Sequence, residues 1–124
     1  MTPRVLVVDD EPALCLGLVS YLEDDGMQLH IAGSGEEALV MVGAGLNVDV
    51  CILDIRLPGI DGNRLALTLH QLLPAARYLI HTGSTCYSVP QALRQLGITD
   101  AEVFSKPQAD LSLLADAVRR LLHV

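Results

Sequence analysis

At 124 residues, 51% of them hydrophobic, the chain is long enough to bury the core of one domain spanning 1–124. A net charge of −7, with seven scattered arginines and Lys106 as the one lysine, argues against direct nucleic-acid binding, which needs clustered cations. No apolar run approaches a membrane span and Met1-Thr2-Pro3-Arg4 is unlike a signal peptide; the odd, widely spaced Cys15, Cys51 and Cys86 read as small core thiols of a reduced, cytoplasmic protein.

Arg4-Val5-Leu6-Val7-Val8 is a β-branched run that stops at Asp9-Asp10-Glu11-Pro12. From Pro12, Leu14, Leu18, Tyr21 and Leu22 recur at helical spacing until Asp24-Asp25-Gly26. Gln28–Ala32 is a weaker strand suited to a sheet edge. Ser34-Gly35-Glu36-Glu37 has the form of a capping box, opening a helix with Ala38, Leu39, Met41 and Val42 on its apolar side. Gly43-Ala44-Gly45 releases it.

Val50-Cys51-Ile52-Leu53 is continuously apolar, as a strand covered on both faces must be, and it runs straight into Asp54. After Pro58-Gly59 and Asp61-Gly62 comes a helix carrying Leu65, Leu69 and Leu72 inward, stopped by Pro74. Arg77–Thr82 is a fourth strand. Pro90 starts a helix with Ala92, Leu93 and Leu96 inward and Gly97 as its cap. Glu102–Ser105 is a fifth strand, closed by Lys106-Pro107, and Asp110 caps a last helix with Leu111, Leu114, Val118 and Leu121 toward the core.

Five strands alternating with five helices predict an α/β fold of (βα)5 type. The expected form is a doubly wound, five-stranded parallel sheet of flavodoxin-like strand order 2-1-3-4-5. In such sheets ligands bind at the carboxyl ends of the strands. Strand 1 delivers Asp9 and Asp10 there, strand 3 Asp54, strand 4 Thr82 with Gly83, and strand 5 Lys106. Clustered carboxylates repel one another, and an oxygen-seeking Mg²⁺ relieves the repulsion better than zinc, which favours His and Cys. Lys106, the Thr82 hydroxyl and the Gly83 backbone N–H then form a cradle for a phosphoryl group, with Asp54 as its nucleophile.

Val7-Val8-Asp9-Asp10-Glu11, Asp54-Ile55-Arg56-Leu57-Pro58-Gly59-Ile60-Asp61-Gly62, Thr82-Gly83 and Lys106-Pro107 together resemble the signature of bacterial response-regulator receiver domains, the CheY-like family. The resemblance spans the whole chain. It implies that Asp54 is the phospho-acceptor of a two-component system. Asp10 would ligate Mg²⁺ directly and Asp9 through water, the backbone carbonyl of Arg56 would complete the metal site, and Thr82 and Lys106 would contact the phosphoryl oxygens. It further implies a sensor histidine kinase, phosphotransfer protein or small phosphodonor as phosphoryl source, and a downstream output domain or protein as target. Helix 4, strand 5 and helix 5 would form the readout face and a surface for a homodimer.

One position departs from the pattern. The family usually carries an aromatic residue three places before the lysine, where this chain has Val103; Phe104 is one place nearer. Alternation puts the two on opposite faces. Gly97 to Lys106 is also about two residues longer than usual, so either a bulge brings Phe104 inward or the threonine–aromatic coupling is absent. Absence is the favoured reading.

Two other functions compete. A phosphatase or phosphotransferase with an aspartyl nucleophile places an acid or threonine two or four residues beyond it, where this chain has Arg56 and Pro58, so the general acid is missing. The chain therefore reads as a switch with self-catalysed phosphorylation and not as a turnover enzyme. A pseudo-receiver, binding a protein without phosphorylation, is favoured only by Val103. His81, beside Thr82, reads as a hydrogen-bonded histidine at the core boundary and carries no assigned role.

Overall fold

The computed structural model describes residues 2–84 and 86–122, the side chains of Pro12 and Leu14 excepted. Five strands, β1 (Arg4–Val8), β2 (Gln28–Ala32), β3 (Val50–Leu53), β4 (Arg77–Thr82) and β5 (Val103–Ser105), form one parallel sheet in the order β2-β1-β3-β4-β5. Between and after them run α1 (Pro12–Asp24), α2 (Gly35–Gly43), α3 (Gly62–Leu72), α4 (Gln91–Arg94) and α5 (Ser112–Leu122). The order is the doubly wound one expected from the alternation of strand and helix patterns. Among the described residues no helix is long and apolar enough to cross a membrane.

The sheet separates two apolar layers. Leu6, Val8, Cys51, Leu53, Tyr78 and Ile80 pack with α2, α3 and the α4 region, while Val5, Val7, Val50, Ile52 and Leu79 pack with α1 and α5. Each central strand feeds both layers through its two-residue period, which is why β3 carries no polar residue. β2, at the edge, is only half-buried.

Helix ends follow local chemistry. α1 and α2 stop where Gly26 (φ +89°) and Gly45 (φ +109°) enter the left-handed region. There the N–H groups of Gly26 and Met27 reach the carbonyls of Glu23 and Leu22, and those of Gly45 and Leu46 reach Val42 and Met41. Ser34 accepts from the Glu37 N–H at 3.0 Å, as the capping box requires, but the Glu37 carboxylate reaches back to the N–H of Gly33 (2.9 Å) instead of Ser34.

Several expectations need correction. α4 is one turn long: Leu93 is buried and Leu96 packs against the core, but Ala92 is exposed. Pro90 and the left-handed Gly97 bracket so few residues that only one turn fits. Glu102 belongs not to β5 but to a 3₁₀ turn (Asp100–Glu102) closed by a capping box with Thr99, and this turn absorbs the extra length before Lys106. In α3, Ala66 is buried with Leu65 and Leu69, while Leu72 is 49% exposed because Leu73 turns to the core at the helix end. Tyr21 is likewise exposed; Cys15, Leu18, Val19 and Leu22 form the buried stripe of α1. The side chain of Leu14 lies outside the described residues. Cys15 and Cys51 are core thiols, with burial pushing Cys51 up to about 12, but Cys86 is exposed.

At the amino edge, Arg4 clamps Asp49. Its backbone N–H (2.9 Å) and guanidinium (3.2 and 3.0 Å) all donate to that carboxylate, joining the start of β1 to the approach to β3. These hydrogen bonds, the guanidinium ones above all, hold the Asp49 carboxyl below its ordinary pKa. A carboxylate with a depressed folded pKa stabilises above its unfolded pKa and loses that contribution as pH falls through the folded one. Asp49→Asn should therefore be less stable than the parent near pH 7, and urea titrations should show the gap closing as pH falls below about 4. In the core, Leu6→Ala should cost about 2–5 kcal/mol, whereas Val40→Ala, 70% exposed on α2, should change stability by less than about 0.5 kcal/mol in the same titration.

Candidate functional site

Parallel pairing carries four strands to a common edge, and single backbone hydrogen bonds extend the ladder just far enough to place the site residues. The Asp9 N–H donates to Ala32 O (3.1 Å), that of Asp54 to Val8 O (3.0 Å), and that of Lys106 to Thr82 O (2.9 Å). Each of these residues is thus held at its strand's end, where the backbone is rigid. The Lys106-Pro107 peptide is cis.

Asp9 and Asp54 are 4% and 8% exposed, and Asp10 is solvent-facing. One carboxylate oxygen from each of the three lies within 4.8 Å of the others. The Lys106 ammonium donates to Asp9 and, at 3.1 Å, to Asp54. Burial works against its charge, but the hydrogen bonds to Asp9 and Asp54 outweigh that and raise its pKa above the ordinary lysine value. The remaining oxygens are also committed: Asp9 Oδ1 accepts from the Glu11 N–H (2.9 Å) and Asp54 Oδ1 from the Arg56 N–H (3.2 Å). Arg56 thus meets Asp54 through its backbone, while its side chain is exposed.

Thr82 is 1% exposed and its hydroxyl accepts from the Ser84 N–H at 3.2 Å. Register pairs Ile80 with Val103, His81 with Phe104 and Thr82 with Ser105. Val103 therefore shares the face of Thr82 and packs into the α2–α3 layer, and Phe104 packs into the α1–α5 layer. No bulge turns Phe104 inward, because the added residues are spent in the 3₁₀ turn before the strand. His81 departs from expectation: its Nε2 is buried and has no protein hydrogen-bond partner among the described residues. Burial and the neighbouring Lys106 lower its pKa, which keeps the ring neutral near pH 7.

Two supports were not singled out by sequence reasoning. Gly62 begins α3 so close beneath Asp54 that a Cβ there would lie 2.2 Å from the Asp54 carbonyl oxygen and 2.8 Å from Ile55 Cα. Glu36, on α2, accepts from the Ile60 N–H (3.1 Å) and so holds the loop that follows Asp54. The signal for Gly62 was its place directly after an N-cap aspartate, Asp61, a position where most residues fit; only the approach of β3 makes glycine necessary. Gly83, by contrast, has open space where its Cβ would be.

Three carboxylates, a bridging ammonium and a nearby hydroxyl can hold an oxygen-seeking divalent cation and an anion beside it. In sequence, the model of the response regulator receiver domain matches residues 5–119. The transcriptional activator protein ExaE of Pseudomonas putida is 37% identical over 95% of this chain and 54% of its own length. The sensor kinase CckA of Brucella abortus is 32% identical over 96% of the chain and 12% of its own length. The chain thus spans about half, or much less, of the curated relatives it matches. The response regulator protein TrrA of Thermotoga maritima, solved with Mg(2+)-BeF, superposes with a TM-score of 0.80 at 30% identity, covering 98% of this chain and 99% of that one. A CheY-like receiver domain protein from Methanospirillum hungatei superposes with a TM-score of 0.80 at 26% identity over 98% and 94% of the two chains.

Gly62→Ala should destabilise the fold by about 1–3 kcal/mol and shift the backbone amide resonances of Asp54 to Arg56, because the atoms it meets are backbone and cannot rotate away. Gly83→Ala should leave both stability and those resonances close to the parent's.

Proposed function

Since this chain belongs to the response regulator receiver domain family of two-component signalling, we propose that Asp54 accepts a phosphoryl group and that the added charge switches a protein-binding surface. The observation that carries this is the Lys106 ammonium joined to both Asp54 and Asp9 inside a three-aspartate cluster at the sheet's carboxyl edge. A structural ion pair needs one carboxylate; two on one ammonium, with Asp10 beside them, leave negative charge for a cation that arrives later.

The all-oxygen donor set fits Mg²⁺, and the Mg(2+)-BeF complex of TrrA supports the same assignment. Asp10, Asp54 and the Arg56 carbonyl would hold the ion directly, with Asp9 acting through water. Bound there, Mg²⁺ offsets the repulsion between the Asp54 carboxylate and the incoming phosphoryl oxygens.

An Asp54 carboxylate oxygen attacks phosphorus in line. A new O–P bond forms, and the P–N bond of a kinase or phosphotransfer phosphohistidine, or the P–O bond of an acyl phosphate, breaks with its electron pair leaving on nitrogen or oxygen. Lys106 follows the developing charge from the Asp54 carboxylate onto a phosphoryl oxygen, and Thr82, whose hydroxyl oxygen accepts from the Ser84 N–H, donates its O–H to another phosphoryl oxygen. Gly83, in open space, leaves its N–H accessible to the same group. Because Thr82 and Lys106 lead into α4 and α5, the altered surface is the α4–β5–α5 face, offered to an output domain, a downstream protein or a second copy. The chain acts as a self-catalysing switch in the cytoplasm and not as a turnover enzyme.

Intact mass after incubation with acetyl phosphate tests this directly. The parent should gain one phosphoryl group only when Mg²⁺ is present, and Asp54→Asn should gain none. Lys106→Ala should slow the gain about a hundredfold, the usual cost of removing one charge-stabilising donor. Labelling of Asp54→Asn at the parental rate would overturn the assignment of the nucleophile.

A further inference from the structure

The switch needs a way to carry the displacement of Thr82 outward, and β5 does not supply it: Val103 is aliphatic and Phe104 faces the opposite layer. The chain has only three tyrosines and one phenylalanine from which another carrier could come. Tyr21 is exposed on α1, and Tyr78 is enclosed within β4 near its start. Tyr87 remains. It lies five residues beyond Thr82, half-buried against the same apolar layer as Val103, and its hydroxyl donates to Asn63 Oδ1 at 2.6 Å. Asn63 is the residue after Gly62, whose backbone lies against Asp54 and whose N–H donates to Ile55 O at 3.1 Å. One hydrogen bond therefore joins the connection downstream of Thr82 to the helix end beneath Asp54.

We propose that Tyr87 is the positioning residue of this switch, its hydrogen bond to Asn63 belonging to the resting arrangement and breaking when Thr82 turns to a phosphoryl group. The arrangement seen is the resting one because the Lys106 ammonium is spent on Asp9 and Asp54 and the Thr82 hydroxyl oxygen is turned to the Ser84 N–H of its own connection. Moving Thr82 draws on the connection that carries Tyr87, while Asn63 stays with α3, packed through Leu65, Ala66 and Leu69. A bond made only in the resting state biases the equilibrium toward it, so removing that bond favours the activated state. This inference rests on the phospho-acceptor reading of Asp54.

Beryllofluoride with Mg²⁺ serves as the phosphoryl mimic, read by NMR on the whole chain with fluorotyrosine at its three tyrosines. The Tyr87 fluorine resonance, assigned by Tyr87→Phe, should move on saturation, while that of Tyr21 should not. Tyr87→Phe and Asn63→Ala should each tighten beryllofluoride binding about fivefold, as loss of one neutral hydrogen bond from the resting state alone predicts, and the double variant should gain no more than either. A purely structural bond would lower the melting temperature and leave that affinity unchanged. Unchanged or weakened affinity in Tyr87→Phe, or a Tyr87 resonance that stays put at saturation, would overturn the role of Tyr87 while leaving Asp54 as acceptor. Failure of the parent to bind beryllofluoride at all, seen as unmoved Asp54 and Lys106 amide resonances, would overturn both.

Discussion

Like charges converge at one edge of the sheet, and the rest of the site is arranged around that constraint. Parallel pairing of β1 with β3 brings Asp9, Asp10 and Asp54 within 4.8 Å of one another, and two of the three are nearly buried. Without compensation such a cluster would protonate or splay apart. Lys106 supplies part of the compensation from β5, and the N–H groups of Glu11 and Arg56 supply more. The balance is incomplete, with three carboxylates against one ammonium. That residual negative charge is what makes a divalent cation a natural occupant, and it gives the site an electrostatic state that an added anion can change.

The scaffold beneath braces the charges from several elements. Asp54 stands on a strand enclosed by both apolar layers, with α3 pressed against its carbonyl at Gly62 and α2 holding the following loop through Glu36. On the other side, α4 is a single turn between Pro90 and Gly97. Backbone hydrogen bonds from Leu93 through Ile98 close that turn, and buried Val89, Leu93 and Ile98 anchor it to the core.

Much of this architecture is legible in the residue pattern. The continuous apolar run into Asp54 marks β3 as central, since only a strand covered on both faces has no use for alternation. The carboxyl-edge residues then follow from topology alone. Less legible are features that depend on how the chain fills length and space. Glu102 reads as strand, yet a turn is needed to take up the residues between Gly97 and β5, and its carboxylate closes that turn on Thr99. Leu72 matches the helical period of Leu65 and Leu69, but α3 ends there and Leu73 takes its place against the core. Cys86, in the largely polar stretch Ser84-Thr85-Cys86-Tyr87-Ser88, reads as a core thiol only by its type and is exposed.

The sequence by itself determined the fold and which residues reach the carboxyl edge of the sheet, because residue periodicity specifies which faces are buried and strand order then dictates which ends meet. The two-residue period of a strand also placed Val103 and Phe104 on opposite faces, while the register of β4 with β5 was needed to exclude a bulge between them. Only the tertiary structure decided the supports: that Gly62 must be glycine, that Glu36 braces Ile60, and that Tyr87 reaches Asn63. Those contacts join residues on different elements across distances set by packing, and no local pattern encodes a distance between two helices or between a helix and a strand end.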